Sequence, residues 1–447
     1  MPEQEENVFT KFNNWLKRSV TIRLLSITIL VLLLLIPKSM IKDLIHEREW
    51  TRNSAVTEVS SKWGESQTIT GPVITVPYLR YFKTDSGKVV KTTEYAHFLP
   101  ETLHVEGEVL PERRYRGIYE IVVYKSNLKI SGNFSSPDFS EWNISRNNIL
   151  WDDAFISLGI PDMRGIQEQV NIQWNDGSFP FNPGIETTDV ISSGMSVRIP
   201  VEQPDSARVN YRFSLDLNLN GSGDLSFVPL GRETTVKLTS NWSNPSFDGN
   251  FLPDTRNVTK DGFDAEWKVL HLNRNYPQQW RGAAHNTYDS QFGVRLLLPV
   301  DRYQKSTRTV KYAIMIIALT FLIFFFIEIL NAKRIHPIQY ILVGLALCIF
   351  YALLLSLSEH ISFNMAYIVA GVAVIGLITV YAQSMFKSAK LTAVLSGILV
   401  ILYGFVFTLL QLQDYALLMG SIGLFIVLAA VMWLSRKIDW YSIASGK

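Results

Sequence analysis

The stretch Ile36–Tyr78, IPKSMIKDLIHEREWTRNSAVTEVSSKWGESQTITGPVITVPY, decides how this chain of 447 residues is organised. An apolar segment precedes it, and a long polar region rich in β-branched residues follows it. The stretch predicts a helix over residues 40–63 that leaves a membrane surface, with Gly64 as its C-cap. The apolar run after Gln67 predicts a β-strand, which Gly71-Pro72 and Pro77 confine to a sheet edge or to a bulge.

The apolar segment Leu24–Ile36 predicts an anchor helix. Its thirteen residues suit a signal peptide, but no small-residue cleavage site follows Pro37. If the helix bends at Pro37 and continues through residues 41–44, it is long enough to cross a bilayer core of about 30 Å. Lys and Arg residues precede it, which predicts a cytoplasmic N-terminus for an uncleaved anchor.

Five further apolar segments follow residue 310, and each has close to the 20 residues that a membrane span requires. They cover residues 311–330, 338–357, 366–386, 391–410 and 415–434. Lys and Arg occur in every second connection and after the last segment, which predicts a cytoplasmic C-terminus. This orientation and that of the anchor helix agree, since both place the polar middle outside the cytoplasm.

Residues 46–309 predict a stalk and a large extracytoplasmic β-sandwich-like domain. The run Tyr211–Asn220 is apolar at every second residue, as in a half-buried strand. The segments KISGNFSSPDF, from Lys129, and KLTSNWSNPSF, from Lys237, share five of eleven residues, which predicts a duplicated β unit unless the likeness is chance. The full division is a segment 1–23, an anchor 24–45, the domain 46–309, a five-helix block 310–434 and a tail 435–447.

Composition excludes several classes of function. The formal net charge of +2 and the absence of a basic patch argue against nucleic-acid binding. Cys348 is the only cysteine, so the chain forms no internal disulfide and no cysteine-based metal site. No GxSxG, HExxH, P-loop or Rossmann pattern is present. We therefore predict no catalytic residue, no cofactor and no metal.

Ionisable residues near the apolar segments are the first functional candidates, because burying them in a membrane is costly. Glu328 ends one segment and the pair Glu359–His360 follows another. A Glu–His pair could relay a proton, but two adjacent residues on a helix point in different directions and are too few for a metal site. The simpler interpretation of all three is a polar cap at the membrane surface.

A second candidate cluster, Trp63, Gly64 and Gln67, lies where the predicted helix meets the first strand. It is either a hinge or docking surface, or simply a helix cap and a turn. In the β region, His97 and three other histidines are scattered, and Asp162 is expected on the solvated surface.

The cluster at Trp63 and the membrane block together resemble the CreD family of inner-membrane proteins. The resemblance begins with Ile36-Pro37, Trp63-Gly64 and Gly71-Pro72. It resumes at residues 292–294 and continues through motifs at 299–303, 311–312, 335–340 and 353–367. It implies a bacterial inner-membrane protein associated with envelope integrity and, in some members, with control by a two-component system. It implies no catalytic residue.

Three functions follow as hypotheses. The favoured one is a non-catalytic protein of the bacterial inner membrane that maintains envelope integrity or responds to envelope stress. Its partners would be the lipid bilayer and an envelope protein or lipid bound by the β domain. The alternative is a transporter or lipid-handling protein, in which Glu328, Glu359, His360 and Gln383 would face a shared cavity. The least favoured hypothesis is an intramembrane or metal-dependent enzyme, because the sequence offers too few candidate metal ligands for it.

Overall fold

The computed structural model describes residues 20–83, 85, 88–202, 209–298, 302–331, 335–412 and 415–436, with side chains from residue 23 onward. These residues form two compact units. The first combines the chain up to Arg52 with the chain from Val300, and the second is Asn53–Pro299. The apolar N-terminal segment therefore belongs with the C-terminal helices, and the polar middle is a unit of its own.

The N-terminal segment forms two successive helices, α1 (Val20–Leu33) and α2 (Leu35–Trp63). The irregularity lies at Leu34, about one turn before Pro37. This is where a proline disturbs a helix, because its missing N–H and its ring both affect the carbonyl of the residue four positions earlier, which is Leu33. The position therefore agrees with the disturbance that the sequence predicted at Pro37, and the helix continues across it, since Leu34 N donates to Leu30 O and Lys38 N donates to Leu34 O. The helix ends at Trp63 as predicted, and the backbone N–H of Gly64 donates to Ser60 O at 2.9 Å.

The C-terminal region forms α3 (Arg302–Lys311), α4 (Ala313–Leu330), α5 (Pro337–Ser358), α6 (Phe363–Phe386), α7 (Ala389–Gln411) and α8 (Ala416–Ser435). Within the described ranges, six helices are long and apolar enough to cross a membrane. They are α1 from Arg23 onward together with α2, α3 together with α4, and each of α5 to α8. Helix α5 lies at the centre of the unit and contacts α1, α3, α4 and α6.

The polar middle is β-rich, as predicted. Its strands are β1 (Gln67–Lys83), β2 (Val89–Phe98), β3 (Thr102–Arg116), β4 (Tyr119–Ser135), β5 (Phe155–Gly159), β6 (Asn171–Trp174), β7 (Gly177–Pro180), β8 (Asn182–Pro183), β9 (Gly194–Arg198), β10 (Asn210–Ser222), β11 (Asp224–Phe227), β12 (Glu233–Ser240), β13 (Pro245–Gly249), β14 (Thr255–Val258), β15 (Phe263–Leu270), β16 (Gln279–Arg281) and β17 (Phe292–Leu296). Short 3₁₀ turns lie between several of them, including Met163–Gly165.

The strands form two sheets. One has nine strands, in the order β13-β17-β11-β1-β5-β9-β8, with β2 pairing with β1 and β16 pairing with β2. The other has eight, in the order β14-β15-β12-β3-β4-β10-β6-β7. One cluster of buried apolar side chains draws on strands of both sheets, from Ile74 on β1 to Leu217 on β10. The alternation seen at Tyr211–Asn220 is the inward–outward alternation of β10, whose buried residues enter this core.

Strand β1 occupies a central position and not an edge, because it pairs with β11, β2 and β5. Pro72 is accommodated by the other predicted feature, a bulge, whereas Pro77 pairs in regular register with Tyr95 on β2. The register between β1 and β5 shifts between Thr70 and Val73, on either side of Gly71-Pro72. A proline has no N–H for the ladder, and an irregularity in pairing removes the need for one.

The two similar segments are neighbours of one strand. Lys129 on β4 and Lys237 on β12 both pair with Glu106 on β3, antiparallel in one case and parallel in the other. Both segments thus belong to the eight-stranded sheet, and a single core serves both sheets. The similarity of the two segments therefore does not correspond to two separate β units in this domain.

Candidate functional site

Trp63 fastens the end of α2 to the eight-stranded sheet. Its indole N–H donates to the Tyr124 carbonyl at 3.2 Å, and the Arg114 guanidinium lies 3.7 Å from the centre of its ring. Such a cation–π contact stabilises by about 0.5–1 kcal/mol at an exposed site. Both partners come from the β3–β4 hairpin, so the last turn of α2 is held from the side.

Gly64 allows the chain to turn from α2 into β1 against the backbone of β10. Its φ is +144°, a conformation that glycine adopts without a steric penalty. A Cβ at this position would lie 2.6 Å from the carbonyl oxygen of Asn220. The close approach of the two backbones therefore requires glycine here, which the sequence suggested only as a helix cap.

Gln67 is completely buried just after this turn. Its side-chain amide donates to the carbonyl oxygens of Asp162, at 3.0 Å, and Asn220, at 3.2 Å. One side-chain group thereby joins the first residue of β1 to a loop and to β10. The Asp162 carbonyl also accepts from the backbone N–H of Gly165 at 3.2 Å, so losing the Gln67 amide would remove one of the two hydrogen bonds of this carbonyl.

Asp162 and Arg164 complete this junction, and the sequence had not pointed to them. Asp162 is buried, contrary to the expectation of a solvated surface residue. It accepts from the backbone N–H of Glu65 at 2.9 Å and from Arg164 Nε at 2.8 Å, and Arg164 also donates to the carbonyl of Ser61. Burial opposes ionisation, but these hydrogen bonds together hold the pKa of Asp162 below its usual value.

The junction of α2 and β1 is therefore a polar network in two parts that lie around Gly64. In one part Trp63 contacts Tyr124 and Arg114. In the other part Gln67, Asp162 and Arg164 are joined to one another and to the backbone of Ser61 and Glu65, on either side of Gly64. Every one of the three residues predicted at this point takes part. The last turn of α2 is therefore attached to the β unit by several contacts.

Glu359 and His360 separate in the first unit. Glu359, with a side chain 9 % exposed, accepts from the Tyr303 hydroxyl at 3.2 Å and lies 4.0 Å from Arg48 Nε on α2. Its backbone carbonyl accepts from Arg302 at 3.1 Å. His360 is exposed. Both residues lie in the turn after α5, so the prediction from helical geometry does not apply to them. Of the two, Glu359 contacts the N-terminal helix.

Glu328 makes the corresponding connection through α1. Its carboxylate lies 3.2 Å from Arg23 Nη1 and accepts a 3.2 Å hydrogen bond from the Tyr340 hydroxyl on α5. The Glu328 side chain is 6 % exposed, whereas that of Arg23 is 29 % exposed. A buried carboxylate with both an ion-pair and a hydrogen-bond partner is tolerated where an unpaired one is not.

Between these two ion pairs, Leu34 seats the N-terminal helix on α5. Leu34 is completely buried. A Cβ on Gly344 would overlap the Leu34 side chain, and Phe321 packs on the other side of the same space. The missing side chain of Gly344 thus forms the notch that receives Leu34. Arg23, Leu34 and Arg48 together fasten the N-terminal helix at three levels.

The β unit also contains a buried histidine for which the sequence gave no signal. His97 is completely buried and lies between Thr75 Oγ1, 3.0 Å from Nδ1, and Asp189 Oδ2, 3.2 Å from Nε2. The Trp280 ring packs beside it, and His285 packs on Trp280. Burial lowers the pKa of His97 despite the nearby carboxylate, so the imidazole is neutral near pH 7.

The remaining expectations concern ligands. No group of three or more His, Cys, Asp or Glu side chains that could hold a metal ion occurs in the part of the chain that the structure describes. A cavity of about 360 Å³ lies between α4, α7 and α8. It is lined by apolar residues and one glycine, and Glu328, Glu359, His360 and Gln383 do not line it. The shared polar cavity that a transporter would need is not formed there.

Comparison with known proteins adds three findings. The family model described as inner membrane protein CreD matches residues 19–441. Inner membrane protein CreD of Escherichia coli strain K12 is 37 % identical over 424 residues, which cover 93 % of each chain. Among solved structures, an M1 zinc metallopeptidase mutant from Deinococcus radiodurans is 10 % identical over 38 % of each chain, with a TM-score of 0.18. That score supports no argument about fold or activity, whereas the first two findings confirm the resemblance read from the sequence.

Proposed function

The chain belongs to the CreD family of inner membrane proteins, and we propose that it acts without catalysis, as a mechanical connection that contributes to envelope integrity. In this proposal the β domain is periplasmic, both termini are cytoplasmic, and one anchor and five C-terminal helices cross the membrane. The partners are the lipid bilayer and an envelope protein or lipid bound by the β domain.

The observation that carries the proposal is the fastening of the N-terminal helix. Its far end, at Trp63, is held by the polar network of the β unit. Its membrane part is held to the C-terminal helices by Arg23, Leu34 and Arg48. A helix held at both ends transmits a displacement or a torque, since an α-helix rises a fixed 1.5 Å per residue and does not stretch easily. A passive tether would need neither set of contacts.

The test is to make this connection flexible. A Gly-Ser-Gly-Ser insertion after Ser60 leaves Trp63 and the three contacts of the membrane part unchanged in sequence, but it interrupts the helix between them and separates Trp63 from Glu58, which pairs with Arg116 on β3. The matched control inserts the same residues after Asp85, in the predicted turn between β1 and β2. We expect that only the Ser60 insertion fails to restore envelope resistance to detergent in a strain lacking the protein, at equal membrane levels. If both insertions restore resistance, a rigid connection is not required.

The orientation is tested separately. In a Cys348→Ser background, Ser86→Cys and Asp261→Cys should react with a membrane-impermeant thiol reagent added to cells with a permeabilised outer membrane. A cysteine introduced at Lys11 should react only after the inner membrane is disrupted. The reverse pattern would contradict a periplasmic β domain without bearing on the rigid connection.

A further inference from the structure

The cavity between α4, α7 and α8 has the length and composition of a site for one lipid chain. Its lining consists of sixteen residues, none of which has a polar side chain. On α8 the lining runs from Gly423 to Leu434, and on α4 it runs from Met315 to Phe326. Eleven residues of helix rise by about 16 Å, which is about half of a hydrocarbon core of about 30 Å. The cavity is therefore as deep as one leaflet.

Helix α8 leaves this space open because, within the part of the chain that the structure describes, its main packing partner is α7. None of its residues is buried. At Gly423 the Phe405 ring of α7 fills the place that a Cβ would take, so the two helices meet at this level. From there to Leu434 the cavity separates α8 from α4. Water is a poor occupant, because a buried water needs two to four polar partners and this lining provides none.

Basic residues lie at one end of the cavity. Lys390 is in the first turn of α7 and Arg436 is the C-cap of α8, and both are exposed. Since α7 and α8 are successive helices in contact, the start of one and the end of the other lie at the same end of the pair. No carboxylate among the described residues forms an ion pair with either. Cations at the membrane surface attract anionic headgroups by about 1 kcal/mol each.

We propose that this cavity is a specific lipid site, in which one acyl chain of an anionic phospholipid lies between α4, α7 and α8 while Lys390 and Arg436 hold its phosphate. The chain replaces the packing contacts that α8 lacks on its α4 side. The lipid is thus a structural component that attaches α8 to the block. This inference does not depend on the mechanical connection proposed above.

The experiment compares two substitutions on adjacent residues of α8. Ala430 lines the cavity and Ala429 does not, so Ala430→Phe fills the site while Ala429→Phe adds the same bulk outside it. The full-length protein is purified in a mild detergent and examined by native mass spectrometry with added phosphatidylglycerol. We expect one retained phosphatidylglycerol per chain for the wild type and for Ala429→Phe, and at least a fivefold lower bound fraction for Ala430→Phe. Equal retention in the two variants would overturn the proposal.

Two further measurements keep the result interpretable. Phosphatidylglycerol should raise the thermal unfolding temperature of the wild type and Ala429→Phe but not that of Ala430→Phe; if Ala430→Phe does not fold, Ala430→Leu replaces it.

The double variant Lys390→Gln, Arg436→Gln should lose the preference for phosphatidylglycerol over phosphatidylethanolamine, and an unchanged preference would overturn the role of the two cations. A mass of two chains that only Ala430→Phe abolishes would show that a second copy, and not a lipid, covers this face.

Discussion

Replacing Gly64 by alanine tests how closely α2 is bound to the β unit. The new methyl group would lie 2.6 Å from the Asn220 carbonyl oxygen and 3.0 Å from its carbon, both backbone atoms of β10. Neither atom can move aside alone, because β10 is paired with β4 and β6. In addition, the φ of +144° at this position is strained for any residue with a Cβ.

The free-energy cost of Gly64→Ala should exceed the cost of the same substitution at a matched glycine, Gly117. Backbone strain at Gly64 costs roughly 1–3 kcal/mol, and the overlap with β10 adds about 1–3 kcal/mol as overpacking. Gly117, in the β3–β4 turn, has a φ of +60°, and a Cβ there would meet no atom within 4 Å. Gly117→Ala therefore costs only the left-handed conformation, about 1–2 kcal/mol. The expected excess for Gly64→Ala is about 2 kcal/mol or more.

Thermal unfolding of the full-length protein in detergent measures this difference. Seven of the eleven tryptophans lie in Asn53–Pro299, so tryptophan fluorescence reports mainly on the β unit. At about 2–4 °C per kcal/mol for a unit of this size, Gly64→Ala should unfold at least about 4 °C below Gly117→Ala. Equal unfolding temperatures would refute the close approach of α2 to β10, and with it the rigid junction.

Three other perturbations give distinct outcomes. Glu359→Gln removes the charge that faces α2 and should lower the free energy of unfolding of the membrane unit by about 1 kcal/mol. His360→Gln should change it by less than about 0.5 kcal/mol. Equal effects of the two substitutions on the thermal unfolding of the protein in detergent would contradict the separation of the two side chains. Gly344→Ala fills the notch that receives Leu34 and should lower the free energy of unfolding by about 1–3 kcal/mol through overpacking. The same thermal unfolding assay measures this change, and an unchanged stability would show that Leu34 does not occupy the notch. Because the folded-state pKa of His97 is lowered from about 6.5, its contribution to stability is complete above about pH 6.5 and is lost as the pH falls through the folded-state pKa. Unfolding temperatures between pH 7.5 and pH 5.5 should therefore decline more in the wild type than in His97→Gln, and parallel declines would exclude this histidine as the cause.

Local patterns were sufficient to predict the order of the elements. Apolar runs of about 20 residues indicated the helices of the C-terminal block, and period-two alternation indicated β10 and its neighbours. The helix end at Trp63 followed from the glycine after it. Pro37 indicated the irregularity at Leu34, one turn earlier in the same helix, but the notch on α5 that receives Leu34 could not be predicted from the sequence.

The contacts of the candidate residues could not be predicted in the same way. Asp162 is isolated among polar residues in the sequence, and its burial depends on Glu65, nearly a hundred residues earlier. The partner of Glu359 on α2 is Arg48, which lies in a segment too polar to show an apolar face. A single sequence reveals which side chains are charged. Which of them form pairs across a long sequence separation is decided by the packing of the helices that carry them, and the sequence does not show that packing.

The spacing of Arg23 and Arg48 along the N-terminal helix can be compared with the thickness of a bilayer. Arg23 and Arg48 are separated by 25 positions, or about 37 Å of helix, which exceeds a hydrocarbon core of about 30 Å and approaches the full thickness of a bilayer. Two arginines at this separation can both reach polar surroundings while Leu34 remains in the apolar interior. In the proposed membrane arrangement, each ion pair lies near a membrane surface, where ionic groups cost less than in the apolar interior, and the contact of Leu34 with α5 depends on shape alone. In that proposal, a pull at Trp63 would have to break both ion pairs or move α5, the central helix of the block.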